Sequence, residues 1–408
     1  MHVVMFADQH VESLGGAQVS MRLQRRFLER AGHTVTVVAP RMHRPAPTDP
    51  AYVDLPSIPV TPDREYALSW PGIRTDRFVD AAMARRAPVD VVHVQADFWG
   101  AFIGHRYAAR HGLPVVHTMH NRVDVGIEAT APFPALVLRV LNVWARRALR
   151  PALRVREARQ APDGWAYLRR LAGLSAAVTA PSAHFARRLE AHGAVPGASG
   201  SVETAGVDVV WNGIDDDILD AALAGGPVER RPGRPRFVWI GRMSPEKRLL
   251  PFLEAVAASG IDAEVEVIGG GAQLRAARRL VERSRQVASI RFAGRMPYAR
   301  TLARLAEADA VVQTSIGFET QGMTVFEAAS LGTPAVVSDP DIAAELGGGV
   351  WSVADATVPA LAETLRRASA DIAAGSPVAV DPSIGERFRQ SSRTAAMVGV
   401  YARAVAPR

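Results

Sequence analysis

Glu319 and Glu327 stand with seven residues between them in the stretch Ser315–Gly332, which reads Ser-Ile-Gly-Phe-Glu-Thr-Gln-Gly-Met-Thr-Val-Phe-Glu-Ala-Ala-Ser-Leu-Gly. Ionised carboxylates only accept hydrogen bonds, so such a pair suits a ligand rich in hydroxyls. The stretch follows an apolar run, Ala310 to Gln313, that reads as a buried parallel strand, and it opens a short helical pattern closed by Gly332. This places Glu319 in the loop and Glu327 on the first helical turn, flanking one small volume. A helix start at the carboxyl end of a parallel strand also offers free amides to an anion, and Gly322 lets a phosphate approach the backbone. One carboxylate then has a transferred sugar to hold and the other a ribose, with the anion between them. Thr324 and Glu327 also spell a capping box, in which the glutamate only satisfies a backbone amide.

Cations for such an anion occur at Gly241-Arg242-Met243-Ser244-Pro245-Glu246-Lys247-Arg248, after an apolar run, Phe237 to Ile240. Ser244 as N-cap and Pro245 behind it predict a helix start. Positive charge is unfavourable in a first helical turn, so Arg242, Lys247 and Arg248 are either solvated there or neutralised by an anion. Of the 48 basic residues in the chain, Lys247 is the single lysine. A compact ammonium in an otherwise arginine-only chain points to a position that does not suit a guanidinium fork. Pro251 cannot sit inside a helix running from Ser244, which predicts a restart there.

Histidines mark the other half of the chain. Pro114 to Thr118 reads as a strand; His117 lies within it as a packed core residue, and His120 lies just past its end, where ligands of doubly wound sheets bind. A metal held by His117 and His120 lacks a carboxylate at ligand spacing and a helix to align the two rings.

Taken together, Glu319 to Glu327 with Gly322 and Thr324, the Gly241–Lys247 run, Thr118-Met-His120 and Asn212-Gly-Ile-Asp215 resemble the signatures of family 4 retaining glycosyltransferases, nearest to bacterial lipid glycosyl- and mannosyltransferases. The resemblance implies the GT-B fold, an α/β arrangement of two doubly wound Rossmann-like domains facing across a cleft. It implies an acceptor-side domain over 1–206, a nucleotide-sugar domain over 207–382, and a terminal helix over 383–408 that returns to the first domain. It also implies roles. Arg242 and Lys247 would hold the donor diphosphate beside the amides of Gly322, Met323 and Thr324. Glu319 would orient the sugar, Glu327 would hold the ribose, and His120 would touch the donor sugar near the reacting carbon. The catalytic set is then His120, Arg242, Lys247 and Glu319. Gly16, in the Gly15-Gly16 loop, would contact donor phosphates or the acceptor, although the same residues also make an ordinary tight turn. No metal and no cofactor are implied beyond a nucleotide-diphosphate sugar as donor. Retention of configuration comes from the resemblance, since no side chain is an obvious general base.

The elements that must position these groups alternate as short apolar strands and helices: Val3–Ala7, Thr34–Ala39, Val89–Val94 and Pro114–Thr118, then Ala177–Ala180, Phe237–Ile240 and Glu264–Ile268. That alternation predicts parallel sheets. Pro40 to Pro62 reads as an irregular excursion, 194–206 as a linker, and 225–235 as a break before the second domain. The segment 133–160 is amphipathic and basic, with Leu136, Val137, Val140, Leu141 and Trp144 beside Arg139, Arg146, Arg147, Arg150 and Arg154. It reads either as an anionic-membrane contact or as a surface helix in an arginine-heavy protein.

At 408 residues and 48% apolar, the chain is long enough for two cores. The absence of cysteine excludes disulfides and thiolate chemistry. No apolar run reaches the ~18 residues of a membrane span, and Met1-His-Val-Val lacks a basic leader. The expectation is a cytoplasmic protein, with peripheral contact at the inner membrane face left open. The net charge of +7 follows largely from arginine usage, and no nucleic-acid partner is expected. Two other functions remain open: a nucleotide-sugar epimerase on the same fold, and a non-catalytic basic protein that binds membrane or nucleic acid. A phospholipid or glycolipid is the leading acceptor.

Overall fold

A computed structural model describes residues 1–13, 15–152, 162–194, 206–224 and 233–406. The chain forms two compact units, Met1–Gly213 with Arg393–Arg408, and Ile214–Ser392.

The first unit is built on β1 (His2–Ala7), β2 (Thr34–Pro40), β3 (Tyr52–Leu55), β6 (Val91–Gln95), β7 (Val115–Thr118), β8 (Ala177–Ala180) and β9 (Asp208–Val209). The small antiparallel pair β4 (Ile58–Pro59) and β5 (Ala67–Leu68) stands apart. The seven strands lie in the order β3-β2-β1-β6-β7-β8-β9, every pair parallel. All six residues of β1 are buried, as a strand covered on both faces requires. Val4 and Phe6 point into one core, with Phe102, Leu141 and Tyr167, and Val3 and Met5 into the other, with Met21 and Leu28. Met397, Val400 and Tyr401 of the terminal helix Gln390–Val405 complete that second core, and the Tyr401 hydroxyl meets His93 Nδ1 at 2.7 Å.

The second unit carries β10 (Arg236–Arg242), β11 (Glu264–Gly270), β12 (Ser289–Gly294), β13 (Ala310–Gln313), β14 (Ala335–Val337) and β15 (Val350–Ser352). Their order is β12-β11-β10-β13-β14-β15, again with parallel pairs. Strand order reverses between β10 and β13, which is where such sheets bind ligands.

Several local expectations are corrected. The Pro40–Pro62 stretch contains β3, an edge strand paired with β2, and β4. Ser244 makes no side-chain cap; a 3-10 turn spans Pro245–Lys247, Arg248 turns into the left-handed region at φ 55°, and the helix proper is Leu249–Ser259. Pro251 thus falls in a first turn, where its missing N–H costs little. The basic helix ends at Leu149, before Pro151. Residues 153–160 of that segment, Arg154 included, lie outside the described residues, as does most of 194–206 and of 225–235. No helix among the described residues is long and apolar enough to cross a membrane.

Candidate active site

In the second unit the loop from β13 to the helix Met323–Ser330 is held from three sides. Gln313 Nε2 donates to the Ser315 carbonyl and hydroxyl, each at 2.8 Å, and Ser315 Oγ donates to Glu319 Oε1 at 2.6 Å. Thr314 Oγ1 accepts from Trp239 Nε1 at 2.9 Å and donates to the Lys247 carbonyl at 2.6 Å, tying the loop to the end of β10. Asp339, the N-cap of the helix Pro340–Leu346, takes the Gly317 N–H at 2.7 Å. The Lys247 ammonium is ion-paired and hydrogen-bonded to Glu319 Oε1, and lies 5.6 Å from the Phe318 ring centre. An ammonium has three donors, so two remain for an anion.

The expected capping box is not formed. Gly322 is the N-cap, in the left-handed region at φ 78°, and no side chain caps the helix. The backbone conformation there favours glycine, and a Cβ would also lie 2.8 Å from Ile342 Cδ1, whose tip would have to shift. Thr324 is the second helical residue; the Val325 N–H goes to the Gly322 carbonyl at 3.1 Å, and the amides of Met323 and Thr324 are left for a ligand. Glu327 is freed from capping: its Oε1 accepts the Tyr298 hydroxyl at 2.8 Å, and the residue is 7% exposed. Burial pushes its carboxyl up to about 7, with the Tyr298 hydrogen bond working the other way. Arg242 ends β10, largely exposed, and meets Glu246 at 3.4 Å. Lys247, Glu319, Gly322, Met323, Thr324 and Glu327 therefore share the carboxyl rim of β10 and β13, and Arg242 stands at its solvent side.

The first unit holds Gly16 and His120, both at the carboxyl rim of its own sheet. Gly16 opens the helix Gly16–Arg30 and is exposed. His120 follows β7, and its Nε2 is buried with no hydrogen-bond partner among the described residues. Burial, foremost, holds its pKa below the ordinary value; Asp97 opposes this and His117 adds to it. The ring is thus neutral, able to accept from or donate to a hydroxyl. His117 is fully buried, its Nε2 2.8 Å from the Ala96 carbonyl, as its place inside β7 predicts.

Two acids there escaped the sequence reading. Asp97 Oδ2 accepts the N–H of His120 at 3.2 Å, that of Asn121 at 3.0 Å, and Asn121 Nδ2 at 2.7 Å, which fixes the turn carrying His120. Asp8 accepts the N–H groups of Asp97 at 2.8 Å, Phe98 at 3.0 Å and Gly100 at 2.8 Å, capping the helix Trp99–His111 from the neighbouring strand. Gly100 permits this approach, since a Cβ would lie 2.4 Å from the Ala7 carbonyl oxygen. Burial and then the charge of Asp97 raise the Asp8 carboxyl to about 7, against those three amides. Asp8 directly follows β1 and Asp97 comes two residues after the end of β6, and that position was the available signal.

The family model described as Glycosyltransferase Family 4 matches residues 14–218, and the one described as Glycosyl transferases group 1 matches residues 234–371. No curated protein matches the chain. Among solved structures, the chain is similar to Anabaena Alr3699/HepE in complex with UDP-glucose, at 15% identity and a TM-score of 0.63, covering 98% of this chain and 99% of that one. It is similar to the catalytic domain of starch synthase IV from Arabidopsis thaliana bound to ADP and acarbose, at 15% identity and a TM-score of 0.58, with 99% of each chain covered. AviGT4, a glycosyltransferase involved in avilamycin A biosynthesis, gives 18% identity and a TM-score of 0.54 over 99% of this chain and 98% of that one. These likenesses show the fold: two parallel-sheet Rossmann-like domains of the GT-B type.

Proposed function

This chain belongs to glycosyltransferase family 4 and is a glycosyltransferase, and from that premise we propose that it transfers a hexose from a nucleotide-diphosphate sugar to an acceptor hydroxyl with retention of configuration. The observation that carries the reading is the Lys247–Glu319 pair set beside an uncapped helix start. As the glycosidic bond breaks, negative charge grows on the leaving diphosphate. A preorganised ammonium and helix amides stabilise that charge without a proton donor. Lys247, Arg242 and the amides at Gly322–Thr324 take the diphosphate, Glu319 orients the sugar hydroxyls, and Glu327 takes the ribose. In the first unit, His120 offers its buried ring nitrogen, unpaired among the described residues, to a sugar hydroxyl, and Gly16 stands at the carboxyl rim of that unit's own sheet. This chemistry calls for no metal and no cofactor besides the donor itself.

For the acceptor, a membrane lipid or glycolipid is favoured by the helix Pro134–Leu149, which leaves Leu136, Val137 and Val140 exposed beside Arg139, Arg146 and Arg147. Contact with an anionic bilayer surface would bring the enzyme to such an acceptor. Two of the similar structures named above were solved with UDP-glucose or with ADP and acarbose, which supports a nucleotide sugar as donor.

The test incubates pure protein with a panel of UDP-, GDP- and ADP-hexoses and follows melting temperature, donor consumption and product. One donor should stabilise the fold and be hydrolysed or transferred, and Lys247→Ala should lower turnover by at least ~100-fold with the fold intact. Unchanged turnover in that variant removes the diphosphate assignment. An isomerised donor sugar in place of a transferred one would mark an epimerase.

A further inference from the structure

We propose that Tyr298 is a positioning residue for the donor nucleotide: its hydroxyl holds Glu327 by one carboxylate oxygen and leaves the other to accept ribose hydroxyls. This rests on the ribose-binding reading of Glu327 given above and adds the residue that makes such binding work at neutral pH.

Tyr298 is the first residue of the helix Tyr298–Glu307, and Pro297 before it fixes where that helix begins. The helix packs on Met323–Ser330, and the Tyr298 hydroxyl reaches Glu327 Oε1 at 2.8 Å. Tyr298 provides the one hydrogen bond to the Glu327 side chain among the described residues. The other elements against that helix supply no competing charge: β13 and β14 carry no ionisable side chain, and the helix Ser383–Phe388 meets it through Phe388 against Phe326, with Glu386 and Arg387 exposed.

A second acid stands behind the tyrosine. Asp215 ends the Asn-Gly-Ile-Asp turn and caps the helix Asp216–Leu223, which packs against Tyr298–Glu307. Burial first, then Glu327, then Asp215 push the Tyr298 hydroxyl well above its ordinary value. A phenol facing two carboxylates stays protonated, and toward either of them it must be the donor. Its proton therefore goes to Glu327, in a bond strengthened by the acceptor's charge. Burial acts on Glu327 in the opposite sense, pulling a proton onto the carboxyl until about pH 7. A protonated glutamate would offer a donor where the ribose diol needs an acceptor. Tyr298 thus does two things for one group: it fixes the rotamer and favours the ionised form.

The test is Tyr298→Phe, which keeps the ring and removes the hydroxyl. kcat and donor KM are measured between about pH 6 and about pH 9, with the nucleotide sugar turned over in the UDP-, GDP- and ADP-hexose panel, beside Glu327→Gln. The expected result is a donor KM raised about tenfold at pH 7, the size of one hydrogen bond to a charged group, with kcat little changed. The acid limb of the 1/KM profile should move to higher pH, so that KM recovers in alkaline buffer. A KM raised equally at every pH marks a packing effect and overturns the proposal. If Glu327→Gln raises KM and Tyr298→Phe does not, the tyrosine assignment is wrong and the ribose reading stands. If neither changes KM, the ribose reading fails and takes this inference with it.

Discussion

Glu327 is held at about 7 by burial, against an ordinary value of 4.5 in the unfolded chain. The folded protein therefore binds a proton that the unfolded chain has already lost between those two values. Stability from this group is full below the ordinary value and declines as pH rises through about 7. Glu327→Gln removes the ionisation and keeps the shape. Its melting temperature should exceed that of the parent at pH 8 by the equivalent of ~1–3 kcal/mol, with little difference near pH 5, while donor binding weakens. Calorimetry at both pH values checks this, and parallel losses of stability would sink it. The two glutamates were legible as a pair of acceptors from their spacing and the loop glycine. Their partners were not. Thr324 and Glu327 spell a capping box as readily as a ligand site, and the choice is made by the left-handed turn at Gly322. Tyr298 lies 29 residues from Glu327 in sequence, and no local pattern links them.

At the scale of elements, strands that hand over to helices through glycine loops were legible because burial on both faces leaves continuous apolar runs. The edge strand β3 was missed because only one side of it pairs and prolines surround it. The helix Pro134–Leu149 shows a different shortfall. One apolar stripe was expected, and the structure has two: Leu138, Leu141, Ala145 and Leu149 enter the core, while Phe133, Leu136, Val137, Val140 and Val143 are exposed. Trp144, between them, stacks on Trp70 at 5.4 Å, and Trp70 is itself 66% exposed. Periodicity cannot assign a residue to a face when both faces are apolar. If the outer stripe rests on lipid, the protein should co-sediment with vesicles containing anionic phospholipid at low salt and not with purely zwitterionic ones. Val140→Asp should lower that binding several-fold and leave hydrolysis of the free donor unchanged. Equal binding to both vesicle types would remove the membrane reading.

Across the whole molecule, ionisable groups are divided unevenly. All eleven histidines lie before residue 193, in the first unit, and the second has none. Burial, above all, holds His93 and His105 well below their ordinary 6.5, and both stay neutral in the fold. The unfolded chain takes up protons there first, so their contribution is full above the ordinary value and is lost as pH falls below it. Asp8, raised to about 7, opposes this within the first unit, where His93, His105 and His120 outnumber it. Lowering pH from 7 to 5 should weaken the first unit, while the second gains through Glu327. Hydrogen exchange resolved by peptide should show protection falling over β6 and β7 and rising over Met323–Ser330. A uniform change along the chain would contradict this division. The two-unit plan was legible from length and strand alternation, and the count of histidines per half was plain. Which of them are buried depends on the pleat of strands paired far apart in sequence.

Met397, Val400 and Tyr401 fill a core whose other walls come from the opening strands, and Tyr401 reaches His93. During synthesis β1 leaves the ribosome long before Met397, Val400 and Tyr401, which pack against it. Strand β1 must wait, one core uncovered, until the second unit has been made. A polypeptide that stops short of residue 397 leaves that side of β1 uncovered, and is the form that quality-control proteases are built to remove.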